Sequence, residues 1–354
     1  MYYVNENIKD LYRVKFHDER GSVLRLDMNE NPEGLPKEVF DKIWAKVTPE
    51  YIATYPEKDR LMELLARHDG VLSENISVTA GSDEAMRLIF HCFGEAGKNL
   101  LTVTPTFEMY DVYCKMFGMN HVTVDYREDF TLDADAVMDA VDENTGIVIL
   151  LNPNSPIGAV YKEEEVRAVA EKAQRNGAVV VIDEAYHYFY EPTFLHLIKE
   201  YDNLLVLRTF SKLFSIAGLR IGYVSGNAEL ISYIEKAEST FNVNNIAILF
   251  AQELISDQGL IRDLIEKERI GKAWLSERLK EAGYRYAAME GNYVLFYPNR
   301  ESKIIVEKLK QKDIWVRDYG RGILNGWIRV SIGSVACMQR FWEAFVEADR
   351  EETV

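Results

Sequence analysis

The chain has 354 residues, of which 47% are hydrophobic and 28% charged; this is ordinary globular composition at a length beyond most single cores, so two domains are expected. Its 41 basic and 57 acidic side chains leave a net charge of −16 with a pI near 5.0, which repels phosphodiester backbones and anionic lipid surfaces and argues against nucleic acid or membrane as a partner. An anionic small molecule has to be met by a local cluster of donors working against that charge.

The amino terminus, from Met1 to Asp10, has no basic segment followed by an apolar one, so no export signal is expected. Short β-branched runs then alternate with longer helical patterns. The runs are Ile76–Thr79, Leu100–Val103, Gly146–Leu151, Ala178–Ile182, Leu204–Leu207 and Arg220–Val224. Between them, segments such as Glu163 to Arg175 place Val166, Val169, Ala170 and Ala173 on one helical face, the spacing of an amphipathic helix. Alternation of this kind, with strands apolar on both faces, predicts an α/β fold with a mostly parallel sheet covered by helices on both faces. From about residue 230 the texture changes to long charged helical segments, with Leu260 to Leu279 the clearest, and short strands around Tyr293–Phe296 and Trp327–Ser331. The expected organisation is an N-terminal strap over 1–30, a large domain over 31–245 and a smaller α+β domain over 246–354.

No aliphatic run spans a bilayer; Ile147 to Leu151 is far too short. The three cysteines, Cys92, Cys114 and Cys337, are widely separated and odd in number, which suggests neither a disulfide frame nor a zinc knuckle. A reducing cytoplasm is the expected location. The six histidines show no metal-ligand spacing, and no metal is expected. Nucleotide-binding, serine-hydrolase and metalloprotease signatures are missing as well.

In an open parallel sheet, ligands collect beyond the carboxyl ends of the strands, and the residues there are unusual. After Thr79 comes Ala80-Gly81-Ser82-Asp83-Glu84, a glycine turn that either caps the next helix or offers its free N–H groups and the Ser82 hydroxyl to an anion. After Ile182 comes Asp183-Glu184-Ala185-Tyr186, and after Leu207 comes Arg208-Thr209-Phe210-Ser211-Lys212, with Arg220 eight residues beyond the lysine. Alone, Tyr186 reads as a strand-end aromatic and Lys212 as a solvated side chain. Together they match the needs of pyridoxal 5′-phosphate (PLP). Its ring requires an anion beside the pyridine nitrogen, here Asp183, and a phenol at the 3′-oxygen, here Tyr186. Its aldehyde requires a lysine able to attack, here Lys212, and its phosphate requires donors such as Thr209, Ser211 and Arg220.

At this point the chain resembles the fold-type I PLP enzymes, and within them the class I/II aminotransferases of histidinol-phosphate aminotransferase type. The resemblance covers nearly the whole length. It rests on Leu26 to Gly34, Tyr55-Pro56, Ala80 to Glu84, Pro105-Thr106-Phe107-Glu108-Met109-Tyr110, Asn152 to Gly158, Asp183 to Tyr186, Ser211-Lys212 with Arg220, and Ile328 to Gly333. What it implies is a PLP-dependent transferase fold and a transaminase moving an amino group from an amino acid or amino phosphate to a 2-oxo acid. Lys212 would carry the cofactor as a Schiff base, with Asp183 and Tyr186 on the ring. Gly81, Ser82, the Asp83 backbone, Thr209, Ser211 and Arg220 would form the phosphate cup. Tyr110 would stack on the ring face, with Phe107 as the alternative. Asn29 and Asn31 would belong to the closing strap, Arg329 would hold the acid group of the substrate, and Arg317 would meet a substrate phosphate. Tyr55 would reach the neighbouring active site of a homodimer.

Two departures stand out. Ser155 occupies the position where the family carries an asparagine beside the 3′-oxygen, with Asn154 as a compensating neighbour, and the amino-terminal Pro-Tyr element is replaced by Tyr12-Arg13. A threonine-phosphate decarboxylase shares nearly all these landmarks and is the alternative enzyme. A regulatory binding protein with an aminotransferase-like body is the alternative outside catalysis; its DNA-binding domain would have to fit in some 25 residues before the Leu26 motif.

Overall fold

The computed structural model describes residues 2–12 and 19–350; Arg13 lies outside them. Among the described residues there are twelve strands in two sheets. In chain order they are β1 (Leu24–Leu26), β2 (Ile76–Thr79), β3 (Asn99–Thr104), β4 (Asn120–Asp125), β5 (Thr145–Leu151), β6 (Val179–Asp183), β7 (Leu204–Thr209), β8 (Gly222–Gly226), β9 (Arg285–Ala287), β10 (Tyr293–Tyr297), β11 (Ile314–Asp318) and β12 (Ile328–Ser331).

The larger sheet runs β2-β8-β7-β6-β5-β3-β4. Every pairing in it is parallel except those of β8, which runs antiparallel to both β2 and β7. All strands but β8 therefore end at one edge, which gathers the polar residues that follow them. The inner strands β6 and β7 are buried at every position, as a sheet covered on both faces requires. The Val166, Val169, Ala170 and Ala173 stripe of the helix Glu163–Arg175 is fully buried against Val180, Ile182 and Val206. The opposite face carries the helix Ser82–Phe93, whose Leu88 and Ile89 pack with Ile149, Val181 and Leu207.

The smaller sheet runs β1-β11-β12-β10-β9 and is backed by the helix Val335–Arg350 through Phe341 and Phe345. Its first strand comes from the amino-terminal segment, with Leu24, Arg25 and Leu26 paired in parallel to Ile314, Trp315 and Val316. Residue 245 opens the helix Asn245–Ser256, whose Phe250 and Leu254 bury with Leu61 and Leu65. The next helix, Gln258–Glu281, starts in that cluster with Leu260 and Leu264. It ends among the residues of the smaller sheet with Leu275 and Leu279. This 24-residue helix thus spans the two cores.

Candidate active site

The site forms where the ends of β2, β3, β5, β6 and β7 meet the smaller sheet. Asp183 is the last residue of β6 and 5% exposed. Its Oδ2 accepts from the Tyr110 hydroxyl at 2.8 Å and its Oδ1 from the Ala185 N–H at 3.0 Å. Burial pushes its pKa up to about 6 against the pull of these donors and of Lys212. A cation placed beside this carboxylate would favour its ionised form.

Tyr186 lies three residues on, and its phenolic oxygen accepts from Asn29 Nδ2 at 2.8 Å. Burial works to raise its pKa, yet the charges of Lys212 and Arg329 and the bonds to Ser155 and Asn29 outweigh it and hold the phenol below its usual value. Lys212 Nζ donates to the Met28 carbonyl at 2.9 Å and stands 5.6 Å from the Tyr186 ring centre. The amine therefore faces Tyr186 and is held by a neutral carbonyl.

A second cluster lies at the end of β2. Gly81, at φ +83°, precedes the helix Ser82–Phe93 without any side-chain cap, so the first N–H groups of that helix are open to an anion. A Cβ on Gly81 would lie 2.6 Å from a terminal nitrogen of Arg220. The guanidinium thus lies directly against the turn, and its recorded partners are neutral: the Ala217 carbonyl at 3.0 Å and Ser211 Oγ at 3.5 Å. Thr209 Oγ1 bonds both Ser211 Oγ at 2.9 Å and the Ser211 N–H at 3.1 Å. The Asp83 side chain is turned away to accept from Tyr113 at 2.8 Å, which leaves its backbone N–H as the useful donor.

The third cluster belongs to the smaller sheet and the amino-terminal strap. Arg329 is 7% exposed. It donates to Tyr319 Oη at 2.7 Å, Ser155 Oγ at 3.1 Å and the Asp27 carbonyl at 2.6 Å, and its Nε has no partner. Asn29 is fixed by the Ser331 hydroxyl through both its N–H, at 2.8 Å, and its Oδ1, at 3.1 Å. Asn31 is buried and accepts from the Glu33 N–H at 3.1 Å. Arg317 lies across from Arg329 in the β11–β12 register.

Two expectations are corrected by this geometry. Tyr110 has no exposed surface, and its hydroxyl is committed to Asp183, so it has no free face for a ring to stack on. Phe107, 45% exposed and edge-on to Tyr110 at 5.5 Å, keeps one. Asn154 does not stand in for the missing asparagine, because its amide donates to the Pro105 carbonyl at 3.0 Å and accepts from Thr106 at 2.8 Å; the amide beside Ser155 is that of Asn29, at 3.5 Å. Tyr55 is 73% exposed and stacks on Phe241 at 4.3 Å, outside the three clusters of its own chain.

Sequence reasoning passed over Tyr319, Tyr293 and the buried Arg208–Glu184–Asp69 network. Arg208 reaches Glu184 at 2.8 Å and Asp69 at 2.7 Å, tying β7 to the residue after Asp183. Its signal was a charged residue at the end of an otherwise apolar strand.

Residues 22–345 match the family described as aminotransferase class I and II. The chain belongs to that family. As an aminotransferase it is similar to the histidinol-phosphate aminotransferase of Caldanaerobacter subterraneus subsp. tengcongensis, 34% identical over 88% of each chain. The enzyme of that name from Thermococcus gammatolerans is also 34% identical, over 93% of this chain and 91% of the relative. Among solved structures, the histidinol-phosphate aminotransferase of Sinorhizobium meliloti in complex with pyridoxal-5′-phosphate superimposes with a TM-score of 0.84 at 25% identity, covering 92% of this chain and 90% of that one. This aminotransferase is PLP-dependent, and its first two clusters fit that cofactor. The acid at β6, the lysine at β7 and the capless helix with its arginine match the cofactor's ring nitrogen, aldehyde and phosphate in kind.

Proposed function

We propose that this aminotransferase takes an amino donor bearing an anionic group, of the histidinol phosphate type, and passes its amino group to a 2-oxo acid. The observation that carries the reading is Arg329: a buried guanidinium with three neutral partners, an unpartnered Nε and no carboxylate among the described residues. A charge in that state is expensive to bury unless an anion arrives to complete it. In a chain of net charge −16, Lys212, Arg220 and Arg329 all reach the site with neutral hydrogen-bond partners among the described residues, a local field that draws an anionic cofactor and substrate.

PLP, when bound, withdraws electrons from the donor's Cα and makes its proton acidic. Gly81, Ser82, the Asp83 N–H, Thr209, Ser211 and Arg220 would hold its phosphate. Asp183 would hold its ring nitrogen, with Tyr110 bracing the carboxylate, and Tyr186, Asn29 and Ser155 would bond its 3′-oxygen. Phe107 would cover its ring. Lys212 would hold its aldehyde carbon and, once released by the donor, take the proton from Cα as general base and return it as general acid. Arg329 orients the acceptor's acid group, Arg317 meets the donor's phosphate, and the buried site keeps water from the reacting carbon. Tyr55 would serve a second copy of the chain in a homodimer, an assignment supported by its exposed ring.

The test mixes the PLP-loaded protein with histidinol phosphate, histidinol, L-glutamate and L-phenylalanine and follows conversion to pyridoxamine phosphate optically. Histidinol phosphate is expected to react with the highest kcat/KM, and 2-oxoglutarate to restore the starting spectrum. Release of carbon dioxide from a phosphorylated amino acid without keto-acid turnover would instead make the protein a decarboxylase. Lys212→Ala is expected to lose the visible absorbance of the loaded protein together with turnover; a variant keeping both would remove Lys212 from its role.

A further inference from the structure

Glu108 follows Phe107 on the segment that leaves β3, just before the helix Met109–Met116. Its carboxylate reaches over to the smaller sheet, accepting from Arg321 at 2.6 Å through one oxygen and from Arg317 at 3.3 Å through the other. Arg317 in turn lies over the Tyr319 ring at 5.8 Å, and Arg329 lies over that same ring at 5.7 Å. Arg317 therefore stands beside the buried arginine, separated from it by one tyrosine, and shares one carboxylate with the exposed Arg321.

The side chains of Glu108, Arg317 and Arg321 are 46%, 36% and 71% exposed. Ion pairs this open to water hold weakly, so an anion of higher charge displaces the carboxylate at small cost. A phosphate dianion carries more charge than Glu108 and accepts from two guanidiniums at once. A neutral side chain offers nothing in exchange. A single carboxylate exchanges like for like.

We propose that Glu108 sets specificity for the donor's phosphate: its carboxylate competes with the substrate's anion for Arg317 and Arg321, so that a phosphate monoester gains both arginines while weaker anions leave the bridge closed. The inference rests on the reading of Arg317 as the contact for that phosphate. It adds Arg321, which no motif singled out, as the second phosphate donor. It also makes the bridge a contact between the two sheets that opens as the donor seats.

The experiment compares wild type with Glu108→Gln and Arg321→Gln, each loaded with PLP. The readout is the ratio of kcat/KM for histidinol phosphate to that for histidinol, two donors differing only in the phosphate. Removing the competing charge in Glu108→Gln is expected to raise the ratio about tenfold, the scale of one charge-assisted contact, and Arg321→Gln is expected to lower it by a similar factor. Calorimetric titration of the loaded proteins with inorganic phosphate is the second arm, and Glu108→Gln is expected to bind it about tenfold more tightly. An unchanged ratio with unchanged phosphate affinity overturns the proposal. A ratio that falls in Glu108→Gln also overturns it, since Glu108 would then be positioning Arg317 rather than competing for it. If wild type does not distinguish the two donors, the donor assignment fails, and the phosphate titration still decides whether Glu108 competes with anions.

Discussion

Asp183 sits where a mostly apolar strand ends, and its environment asks two opposed things of it. The surrounding core disfavours its charge, while Tyr110 and the Ala185 N–H favour it; burial wins, and the pKa stands at about 6. Because this value lies above the ordinary 3.8 of an unfolded aspartate, the cofactor-free native state binds the proton more tightly than the unfolded chain. The group's contribution is thus greatest below about pH 4 and is lost as the pH rises through 6, a change on the order of 3 kcal/mol. Asp183→Asn removes the titration, so its stability relative to wild type is expected to climb by about that amount between pH 4 and pH 7. Urea unfolding of both cofactor-free proteins across the range measures this, and parallel curves would contradict it. Tyr110→Phe withdraws a donor that favours the carboxylate, so its own fall in stability extends to higher pH. The chemistry of Asp183 was legible from its place after a β-branched run. The part played by Tyr110 was not, because a tyrosine six residues past a strand gives no sign of whether its ring face or its hydroxyl will be used.

The phosphate donors come from the ends of β2 and β7, the helix Ser82–Phe93 and the turn before β8, and they are assembled around two glycines. Gly81 needs its positive φ of 83° and lies against Arg220, while a Cβ on Gly222 would come within 2.7 Å of the Ser82 nitrogen and 2.8 Å of the Arg208 carbonyl. Gly81→Ala meets the end of a side chain as well as an unfavourable backbone, a cost of about 1–2 kcal/mol to the fold. Its larger effect falls on the cofactor, because Arg220 is pushed out of the cup; PLP affinity measured by fluorescence quenching is expected to drop by roughly 10- to 100-fold, one strong charge-assisted contact. A variant with wild-type affinity would show that the arginine binds elsewhere. At this scale the sequence was readable wherever a strand is buried on both faces, as β5, β6 and β7 are. It was silent on β4, an edge strand whose residues are nowhere fully buried, since half-solvated positions leave no apolar run. It was silent too on β1, three residues long and paired with β11 nearly 300 positions away, because partners that distant leave no local pattern.

Over the whole molecule, one stretch of surface departs from the acidic average. The helices Lys37–Trp44 and Pro49–Ala53 lie along residues 241–250: the Tyr51 hydroxyl donates to the Asn245 carbonyl at 3.0 Å, Asn245 returns a bond to the Tyr51 carbonyl at 2.8 Å, and Phe40 packs on Phe250. From these segments Phe40, Trp44, Ile52, Tyr55 and Phe241 all keep between 42% and 73% of their surface in water. Large apolar side chains gathered this way mark an association surface, and the expected partner is a second copy, whose site Tyr55 would complete. Two chains of −16 each repel, so apolar burial has to overcome a like-charge term that salt screens. Raising the salt from about 10 mM, where screening reaches ~30 Å, to 150 mM, where it reaches ~8 Å, is therefore expected to tighten the dimer, and light scattering at falling protein concentration reads the change. Ile52→Glu adds a charge to the apolar face and is expected to lower the mass towards the 40.8 kDa of one chain. Tyr55→Phe keeps the face and the mass but loses a hydroxyl, so its expected effect is a roughly tenfold weaker hold on PLP, one hydrogen bond to a charged phosphate. If Ile52→Glu yields a monomer that holds PLP as tightly as wild type, the active site is complete within one chain and Tyr55 serves only its stack on Phe241.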